Sequence, residues 1–440
     1  MIKTDKSILQ SLDSISSGVL NGENYSREDF ARSILNYPAM MVPSVQEPII
    51  QSLSKTIKGE IALLDPFMGA SNTLVTGMKY GLSVYGQDIN PLSLLLSKVK
   101  TSHFLFEELD EANKRILDLI RADNSSKVEV NFANIDKWFK KDVQIEISKI
   151  YRAILTESSL KIRRFFWVTL AEVIRMNSND RTSTFKLHMR PIDEINNRNT
   201  SVVKNFESTS KRSIKSITDF SSVLNDSGFI KDGKYSKNVD VVWANTKKEI
   251  KTNRLFNLLV TSPPYGDNQT TVTYGQFSYL LLQWIPLEDI DKNIGFDYLR
   301  STQAIDTESL GGNKNIEDTQ TDDVLFGKSE TLKKFVTQFD GSQRKNAGKV
   351  TKFINDLDLS IDNMLVKLQK DSYMVWTIGN RNVNKKVVKN DTILNELMQS
   401  KGVNLFTDLE RDILSKRMPG RNNFSDTMSK ERILIFKKPY

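Results

Sequence analysis

The sequence predicts an α/β fold: a doubly wound, mostly parallel β-sheet with a largely helical insertion. Residues 61–100 have the order strand, glycine-containing turn, helix, strand and helix, which is typical of a nucleotide-binding βαβ unit. Residues 257–261 form an apolar run of strand length that ends at a Ser-Pro-Pro-Tyr loop. A chain of 440 residues is long enough to bury a large core around such a sheet.

The composition restricts the partners and the chemistry. The formal net charge of +8 favours a polyanionic partner. The chain has no cysteine, which excludes disulfides, thiolate metal sites and a cysteine nucleophile, and two histidines are too few for a histidine-rich metal site. We therefore expect no metal. Because the sequence shows neither a signal peptide nor an apolar run of about 18 residues, we expect a cytoplasmic protein without membrane contact.

The first βαβ unit carries the features of a ligand site. The segment DPFMGASNT, residues 65–73, follows a short apolar strand over residues 61–64 and opens a helix. A second strand over residues 82–89 ends with Asp88 and Ile89, after which Asn90 is a good N-cap for the next helix. Small residues let the backbone approach a ligand, a helix N-terminus favours a carboxylate, and Asp88 can accept both hydroxyls of a ribose.

The Ser-Pro-Pro-Tyr loop is the best candidate for a reactive site. Pro263 and Pro264 fix their own φ angles and lack N–H groups, so the loop is stiff and presents carbonyl oxygens. The Ser262 hydroxyl, the Pro263 carbonyl and the Tyr265 ring are thereby held at the end of a strand. Two acceptors and one ring suit a flat group that bears an exocyclic amine. A proline-rich turn after a core strand is the structural alternative.

The remaining elements follow from periodicity. Apolar residues at helical spacing predict helices within residues 106–122, 145–175, 277–284, 353–369 and 392–401. Apolar and β-branched runs predict strands within residues 239–245, 372–380, 403–406 and 432–436.

Together these segments resemble the DNA amino-methyltransferases, which methylate the exocyclic nitrogen of cytosine or adenine. Thr-Ser-Pro-Pro-Tyr, residues 261–265, resembles motif IV of the cytosine-N4 enzymes more than the Asp-Pro-Pro-Tyr of many adenine enzymes. DPFMGASNT resembles motif I, Asp88 the acid of motif II, and NYPAMMVP at residues 36–43 resembles motif X. Ser71 stands where the family usually has a second glycine, and Asn245 where it usually has an aspartate.

The resemblance implies a Rossmann-like class I methyltransferase, with one antiparallel strand near the end of the sheet and S-adenosyl-L-methionine as methyl donor. It implies methyl transfer to N4 of cytosine in double-stranded DNA, with a cognate restriction endonuclease acting separately. The catalytic residues that it implies are Ser262, Pro263, Pro264 and Tyr265. The residues that it implies for cofactor binding are Tyr37, Pro38, Asp65, Phe67, Gly69, Ser71, Thr73, Asp88, Ile89, Asn245 and Thr261.

Three alternatives stay open at the level of the sequence. The same contacts could serve the amine of adenine, which would give an adenine-N6 DNA methyltransferase. RNA guanine-N2 methyltransferases use similar loops, although they usually carry an RNA-binding domain upstream. A catalytically inactive nucleic-acid-binding module is the third alternative, which the intact Ser-Pro-Pro-Tyr loop disfavours.

The chain divides into three parts. We expect residues 1–100 to form the N-terminal segment and the cofactor half, residues 101–238 a mainly helical insertion, and residues 239–440 the catalytic half. Within the last part, residues 287–350 are expected as an irregular flap or as part of the target-reading surface. Cations interleaved with aromatic residues make the insertion a candidate for DNA recognition, unless those aromatics form its own core. The candidate DNA-binding residues are Arg163 and Arg164 in the insertion and Lys416, Arg417 and Arg421 in a basic C-terminal loop.

Overall fold

The N-terminal part of the chain consists of three helices followed by the predicted βαβ unit. The structure, a computed structural model, describes residues 3–23, 31, 34–38, 41, 43–312, 319–412 and 430–439. Asn90 caps the helix after the second strand, since its side chain accepts the N–H of Leu92 at 3.0 Å. The elements are α1 (Lys3–Asp13), α2 (Ser17–Asn21), α3 (Pro43–Thr56), β1 (Ala62–Asp65), α4 (Asn72–Lys79), β2 (Ser83–Asp88) and α5 (Pro91–Lys100).

Residues 101–238 contain six helices and one short hairpin. The predicted helix over residues 106–122 has those bounds in the structure, whereas the helical stretch 145–175 is two helices separated by residues 156–159. Ser159 ends the break, because its hydroxyl accepts the N–H of Ile162 as an N-cap. The elements are α6 (Phe106–Ala122), α7 (Ile135–Trp138), α8 (Lys141–Leu155), α9 (Leu160–Asn177), α10 (Ile192–Asn197), α11 (Val202–Asp226), β3 (Ile230–Lys231) and β4 (Lys234–Tyr235).

The C-terminal part completes the sheet. The predicted strands near residues 239, 372, 403 and 432 are all present. The elements are β5 (Val239–Trp243), β6 (Phe256–Thr261), α12 (Tyr274–Leu282), α13 (Leu287–Ile290), α14 (Ala304–Glu308), α15 (Thr319–Lys328), α16 (Glu330–Thr337), α17 (Gly341–Lys367), β7 (Leu368–Ile378), β8 (Arg381–Val383), β9 (Lys386–Val388), α18 (Asn390–Ser400), β10 (Asn404–Asp412) and β11 (Lys430–Lys437).

The expectation of an irregular flap over residues 287–350 is wrong where the structure describes that segment. Helices α13 to α16 and the beginning of α17 lie there. Leu332, Phe335 and Val336 on α16 are buried in the core on one face of the sheet. The sequence does not reveal these helices, because the segment is polar overall and contains paired glycines. A short surface helix needs apolar residues on only one of its faces.

The central sheet has seven strands in the order β10–β11–β7–β6–β1–β2–β5. β5, β2, β1, β6 and β7 are parallel, while β11 is antiparallel to both β7 and β10. This confirms the predicted mostly parallel sheet with one antiparallel strand near its end. The strand order reverses between β1 and β6, and the crevice at such a switch point is where doubly wound sheets bind ligands.

Both faces of the sheet are covered, so its strands alternate between two cores. Leu63 and Leu258 belong to one apolar cluster, whereas their neighbours Leu64 and Leu259 belong to the other. Successive side chains of a strand point to opposite faces, and here both faces meet helices. Three layers result, with the insertion helices in the first cluster and α17 in the second.

A buried carboxylate joins the insertion to the C-terminal part of the chain. Asp289 on α13 accepts two hydrogen bonds of 2.7 Å from the Arg163 guanidinium and one of 2.6 Å from Trp167 Nε1. Burial raises the pKa of the Asp289 carboxyl, but the hydrogen bonds from Arg163 and Trp167 outweigh it and hold that pKa below its usual value. Arg164 donates to the Asp289 carbonyl at 2.7 Å.

Three consecutive aromatic residues of the insertion lie in the apolar core on one face of the sheet. Phe165, Phe166 and Trp167 are at most 1% exposed, so none of these rings faces solvent for base stacking.

In the part of the chain that the structure describes, no helix has the length and apolarity needed to cross a membrane.

We expect Asp289→Ala to lower the free energy of unfolding by about 3 kcal/mol, because it leaves the Arg163 cation and the Trp167 N–H without their acceptor. Urea denaturation measures this value. As a control, Asp118→Ala removes a surface partner of Arg121, with both side chains more than half exposed, and should change stability by less than about 0.5 kcal/mol. Equal, small effects of the two substitutions would contradict a structural role for Asp289.

Candidate functional site

A solvent-open cleft of about 870 Å³ lies at the carboxyl ends of β1, β2 and β6. It is lined by residues from both halves of the sheet, as expected for a switch point. The sequence-predicted residues that line it are Tyr37, Asp65, Phe67, Gly69, Thr73, Asp88, Ile89, Asn245, Ser262 and Pro264.

Asp88 is held at the end of β2 by backbone donors. Its Oδ2 accepts the N–H of Gly69 and its Oδ1 the N–H of Asn90, both at 2.9 Å. Burial raises the pKa of the Asp88 carboxyl, and these backbone hydrogen bonds pull it back. Asp88 lines the cleft, where its carboxylate oxygens can accept hydroxyl hydrogens from a ligand.

Asp65 links the turn after β1 to the end of β6. Its Oδ1 accepts the Thr261 hydroxyl at 2.8 Å and the N–H of Phe67 at 3.2 Å. Burial raises the pKa of the Asp65 carboxyl to about 6, although hydrogen bonds from Thr73 and Thr261 oppose the shift. Thr261 is fully buried and therefore supports the cleft through Asp65 without lining it.

The turn between β1 and α4 leaves the start of that helix open. Ser71 has φ = 61°, a left-handed conformation that glycine adopts more readily, and it precedes the first helical residue, Asn72. Its hydroxyl contacts Ser97 Oγ and does not cap the helix. The first residues of α4, Asn72 and Thr73, line the cleft, and Ser71 gives this helix start no side-chain cap, which suits a carboxylate ligand.

A buried lysine braces this turn from below. Lys100 Nζ donates to the Ala70 carbonyl at 2.7 Å and to Asn72 Oδ1 at 2.8 Å. Asn72 Nδ2 in turn donates to the Met41 carbonyl at 2.8 Å. These contacts join the turn to the segment before α3, from which Met41 reaches the cleft, while Gln46 reaches it from α3 itself.

The Ser-Pro-Pro-Tyr loop enters the cleft with only part of its length. Ser262 and Pro264 line the cavity, whereas Pro263 and Tyr265 do not. The Tyr265 ring packs against the core cluster on the α17 face, and its hydroxyl donates to Glu431 Oε1 at 3.0 Å. Burial and the Glu431 carboxylate raise the pKa of Tyr265 well above its usual value, so the phenol keeps its proton.

Several cleft residues were not predicted from the sequence. Asn90 and Tyr274 form a polar edge, in which Asn90 Nδ2 donates to Tyr37 Oη at 2.9 Å. Adjacency to Asp88 was a usable signal for Asn90, and adjacency to the loop was one for Asn268. The other lining residues missed were Met41, Gln46, Pro66, Met68, Ala70, Asn72, Ala244, Thr246, Ile305, Ser309 and Leu310.

Ile305, Ser309 and Leu310 reach the cleft because α14 is anchored to α12. Asp306, which is completely buried, accepts the N–H of Gly275 at 3.0 Å. Burial raises the pKa of the Asp306 carboxyl to about 7. The segment expected as a flap thus forms part of the wall.

Two lining residues keep an unused polar atom. Among the described residues, Gln46 Oε1 and Asn268 Oδ1 are buried without a hydrogen-bond partner. Gln46 Nε2 donates to Thr73 Oγ1 at 3.1 Å, beside the open start of α4. An unpartnered buried oxygen is costly, and a ligand that donates to it would relieve the cost.

Other predicted residues lie away from the cleft. Pro38 does not line it, and the guanidinium groups of Arg163 and Arg164 are engaged by Asp289. Lys416, Arg417 and Arg421 lie outside the described residues. Within the described ranges, no group of three histidine, aspartate or glutamate side chains could hold a metal ion.

Comparison with known proteins gives one clear relative. The chain is 34% identical over 421 residues to the type II methyltransferase M.MvaI of Kocuria varians. The alignment covers 91% of this chain and 89% of that protein. No protein-family model matches the chain.

The raised pKa of Asp65 makes stability depend on pH. A carboxyl with a pKa near 6 in the folded state and near 4 in the unfolded state favours folding as it takes up its proton. Its contribution is therefore absent at pH 7 and grows as the pH falls to 4. The difference in free energy of unfolding between wild type and Asp65→Asn should rise by about 2 kcal/mol over that interval in urea titrations. If this difference in the free energy of unfolding does not change with pH, the pKa of the Asp65 carboxyl is not raised by folding.

Proposed function

The chain belongs to the type II methyltransferase family, and from this premise we propose that it methylates the exocyclic N4 of cytosine in DNA with S-adenosylmethionine as donor. The observation that carries the proposal is that the open start of α4, Asp88 and Ser262 line one cleft. A donor site and an amine-accepting loop are thereby next to each other. We propose further that methylation is sequence-specific and that a separate restriction endonuclease is the functional partner.

The cleft residues fit S-adenosylmethionine group by group. Asp88 accepts the ribose hydroxyls, and the first N–H groups of α4 receive the methionine carboxylate. Gln46 Oε1, buried without a partner among the described residues, accepts from the ammonium group. Phe67, Ile89 and Asn245 provide apolar faces and an amide for the adenine ring. When bound, the cofactor supplies an electrophilic methyl group on a positively charged sulfur.

The loop compensates for a weak nucleophile. The lone pair of N4 is delocalised into the cytosine ring, so the amine must be polarised as it attacks. In the proposal Ser262 Oγ, which lines the cleft, accepts one of the amine's hydrogens and thereby stabilises the positive charge that develops on nitrogen. The Pro263 carbonyl is the second acceptor that the family resemblance implies, although Pro263 does not line the cleft. Bound S-adenosylmethionine would supply the methyl group to N4 and would leave as a neutral thioether, while Ser262 would hold the amine until its surplus proton passes to solvent. No general base is needed before attack.

The target base must leave the duplex, because an exocyclic amine within the stack cannot reach the cleft. In the proposal Pro264 and Asn268 line the wall that the extruded base meets, and the partly buried Tyr265 ring packs against the apolar cluster on the α17 face. A role for the Tyr265 ring as a stacking surface, as the family resemblance implies, requires the ring to turn out of the apolar cluster that it occupies. Catalysis is then mostly positioning and fixed dipoles.

Cytosine is favoured over adenine by the loop composition. Ser262 offers one hydroxyl oxygen at the position where many adenine enzymes carry an aspartate. N6 of adenine is the alternative target, because its amine has the same two hydrogens and the same delocalised lone pair.

DNA contact is assigned to Lys416, Arg417 and Arg421 and to the basic surface of the insertion. Arg163 and Arg164 are poor reporters of it, since both are bound to Asp289.

The function is tested by transfer of labelled methyl groups to duplex DNA and to tRNA, followed by nucleoside analysis. We expect labelled N4-methylcytosine from DNA and no label in tRNA. N6-methyladenine would contradict the assignment to cytosine and leave the amine chemistry in place. Label confined to tRNA, or no transfer, would contradict the proposed function.

Asp88→Asn should weaken binding of S-adenosylmethionine by roughly 1–3 kcal/mol, because one acceptor of the ribose hydroxyls becomes a donor. Isothermal titration calorimetry measures the affinity. Asp110→Asn, which alters a carboxylate that pairs with exposed Lys114, is the matched control and should leave the affinity unchanged. Wild-type affinity of Asp88→Asn would remove Asp88 from the ribose site.

Ser262→Ala should lower turnover by roughly tenfold to a thousandfold, as for the loss of one preorganised polar contact. Cofactor affinity should stay near that of wild type, because Asp65 and Asp88 are untouched. The control Ser102→Ala removes a hydroxyl that donates to the Lys98 carbonyl at 2.7 Å, outside the cleft. Turnover of Ser262→Ala equal to that of this control would exclude the serine as an acceptor.

A further inference from the structure

The loop serine is connected to an ion pair on the C-terminal hairpin. Ser262 Oγ lies 3.3 Å from Tyr265 Oη, and Tyr265 donates to Glu431 Oε1 at 3.0 Å. Glu431 Oε2 accepts from Arg411 Nε at 2.7 Å and pairs with an Arg411 terminal nitrogen at 2.6 Å. Arg411 on β10 and Glu431 on β11 are cross-strand neighbours. Both side chains are 12% exposed or less.

The direction of each hydrogen bond in this chain follows from counting protons. An arginine only donates, and a carboxylate that is paired with it only accepts. Glu431 therefore receives the single hydroxyl hydrogen of Tyr265. The phenol has no second hydrogen, so the contact between the two hydroxyls is made by Ser262 donating to Tyr265.

The consequence concerns the face that Ser262 offers to the cleft. With its hydrogen bound to Tyr265, the Ser262 oxygen has its lone pairs left for a ligand. An amine donates hydrogens, so an acceptor is the form of the hydroxyl that polarises it. If the serine hydrogen pointed into the cleft, two donors would face each other and the serine could not accept a hydrogen of the amine in that orientation.

We propose that Glu431 and Arg411 are positioning residues that fix Ser262 as a hydrogen-bond acceptor through Tyr265. This inference rests on the proposed function, since it assigns the polarity of the contact between Ser262 and the target amine. The partly buried, protonated phenol transmits the polarity of the ion pair over two hydrogen bonds. The side chains of Arg411, Glu431, Tyr265 and Ser262 thus form a hydrogen-bond relay.

Glu431→Gln is the sharpest test, because it keeps the shape and reverses the polarity. Both Arg411 donors meet one oxygen of Glu431, so the glutamine must present its carbonyl oxygen there. Its NH2 group then faces Tyr265 and donates to it. The tyrosine hydrogen turns to Ser262, and the serine hydrogen turns to the cleft.

We expect Glu431→Gln to lower kcat by roughly tenfold or more, by analogy with losing one preorganised acceptor, with cofactor affinity within about twofold of wild type. Tyr265→Phe removes the relay and should cause a similar loss of kcat. The double variant should resemble either single variant, since residues that act as a unit are not additive. The control Glu410→Gln removes an exposed carboxylate that pairs with Lys430 on the same hairpin, and it should keep wild-type kcat.

Three outcomes would overturn the relay: wild-type kcat in Glu431→Gln, multiplying losses in the double variant, or an equal loss in Glu410→Gln. A readout without turnover separates the relay from the proposed function. The infrared difference between wild type and Tyr265→Phe contains the phenol C–O band, which responds to whether the hydroxyl donates or accepts. We expect Glu431→Gln to shift this band, and an unshifted band contradicts the relay even if the protein methylates another amine.

Discussion

The hydrogen bond from Thr261 Oγ1 to Asp65 Oδ1, 2.8 Å long, joins the ends of the two strands on which the cleft is built. It is possible because β1 and β6 are parallel neighbours at the point where the strand order reverses. One strand end continues into the turn before α4 and the other into the Ser-Pro-Pro-Tyr loop. Both loops therefore share a fixed origin, and the distance between donor site and acceptor loop is set by the sheet.

The same edge of the sheet concentrates buried charge. Asp65 and Asp88 lie at the ends of adjacent strands, and burial raises the pKa of both carboxyls. Backbone N–H groups and hydroxyls offset much of this, so polar groups of the turn hold the acids where a ligand can use them. Removing carboxylates from water costs free energy, so desolvated acids of this kind are typical of binding sites and rare in a purely structural core.

The parts of the site predicted from the sequence are those with local signals. A strand that ends in an acid, a glycine turn and a double proline each restrict the chain within a few residues, and Asp88, Gly69 and Ser262 all reach the cleft. Contacts between distant segments had no such signal. Glu431 meets Tyr265 across 166 positions, and Asp289 meets Arg163 across 126. The wall from α14 was missed because its apolar side chains sit in a polar stretch read as a flap.

A crystal structure with S-adenosylmethionine bound would test directly whether one cleft holds the cofactor and exposes its methyl group to Ser262. We expect the ribose hydroxyls on Asp88, the carboxylate at the start of α4 and the methyl carbon directed at the Ser262 side of the cleft. A cofactor bound elsewhere, or one whose methyl group points away from Ser262, would contradict this expectation.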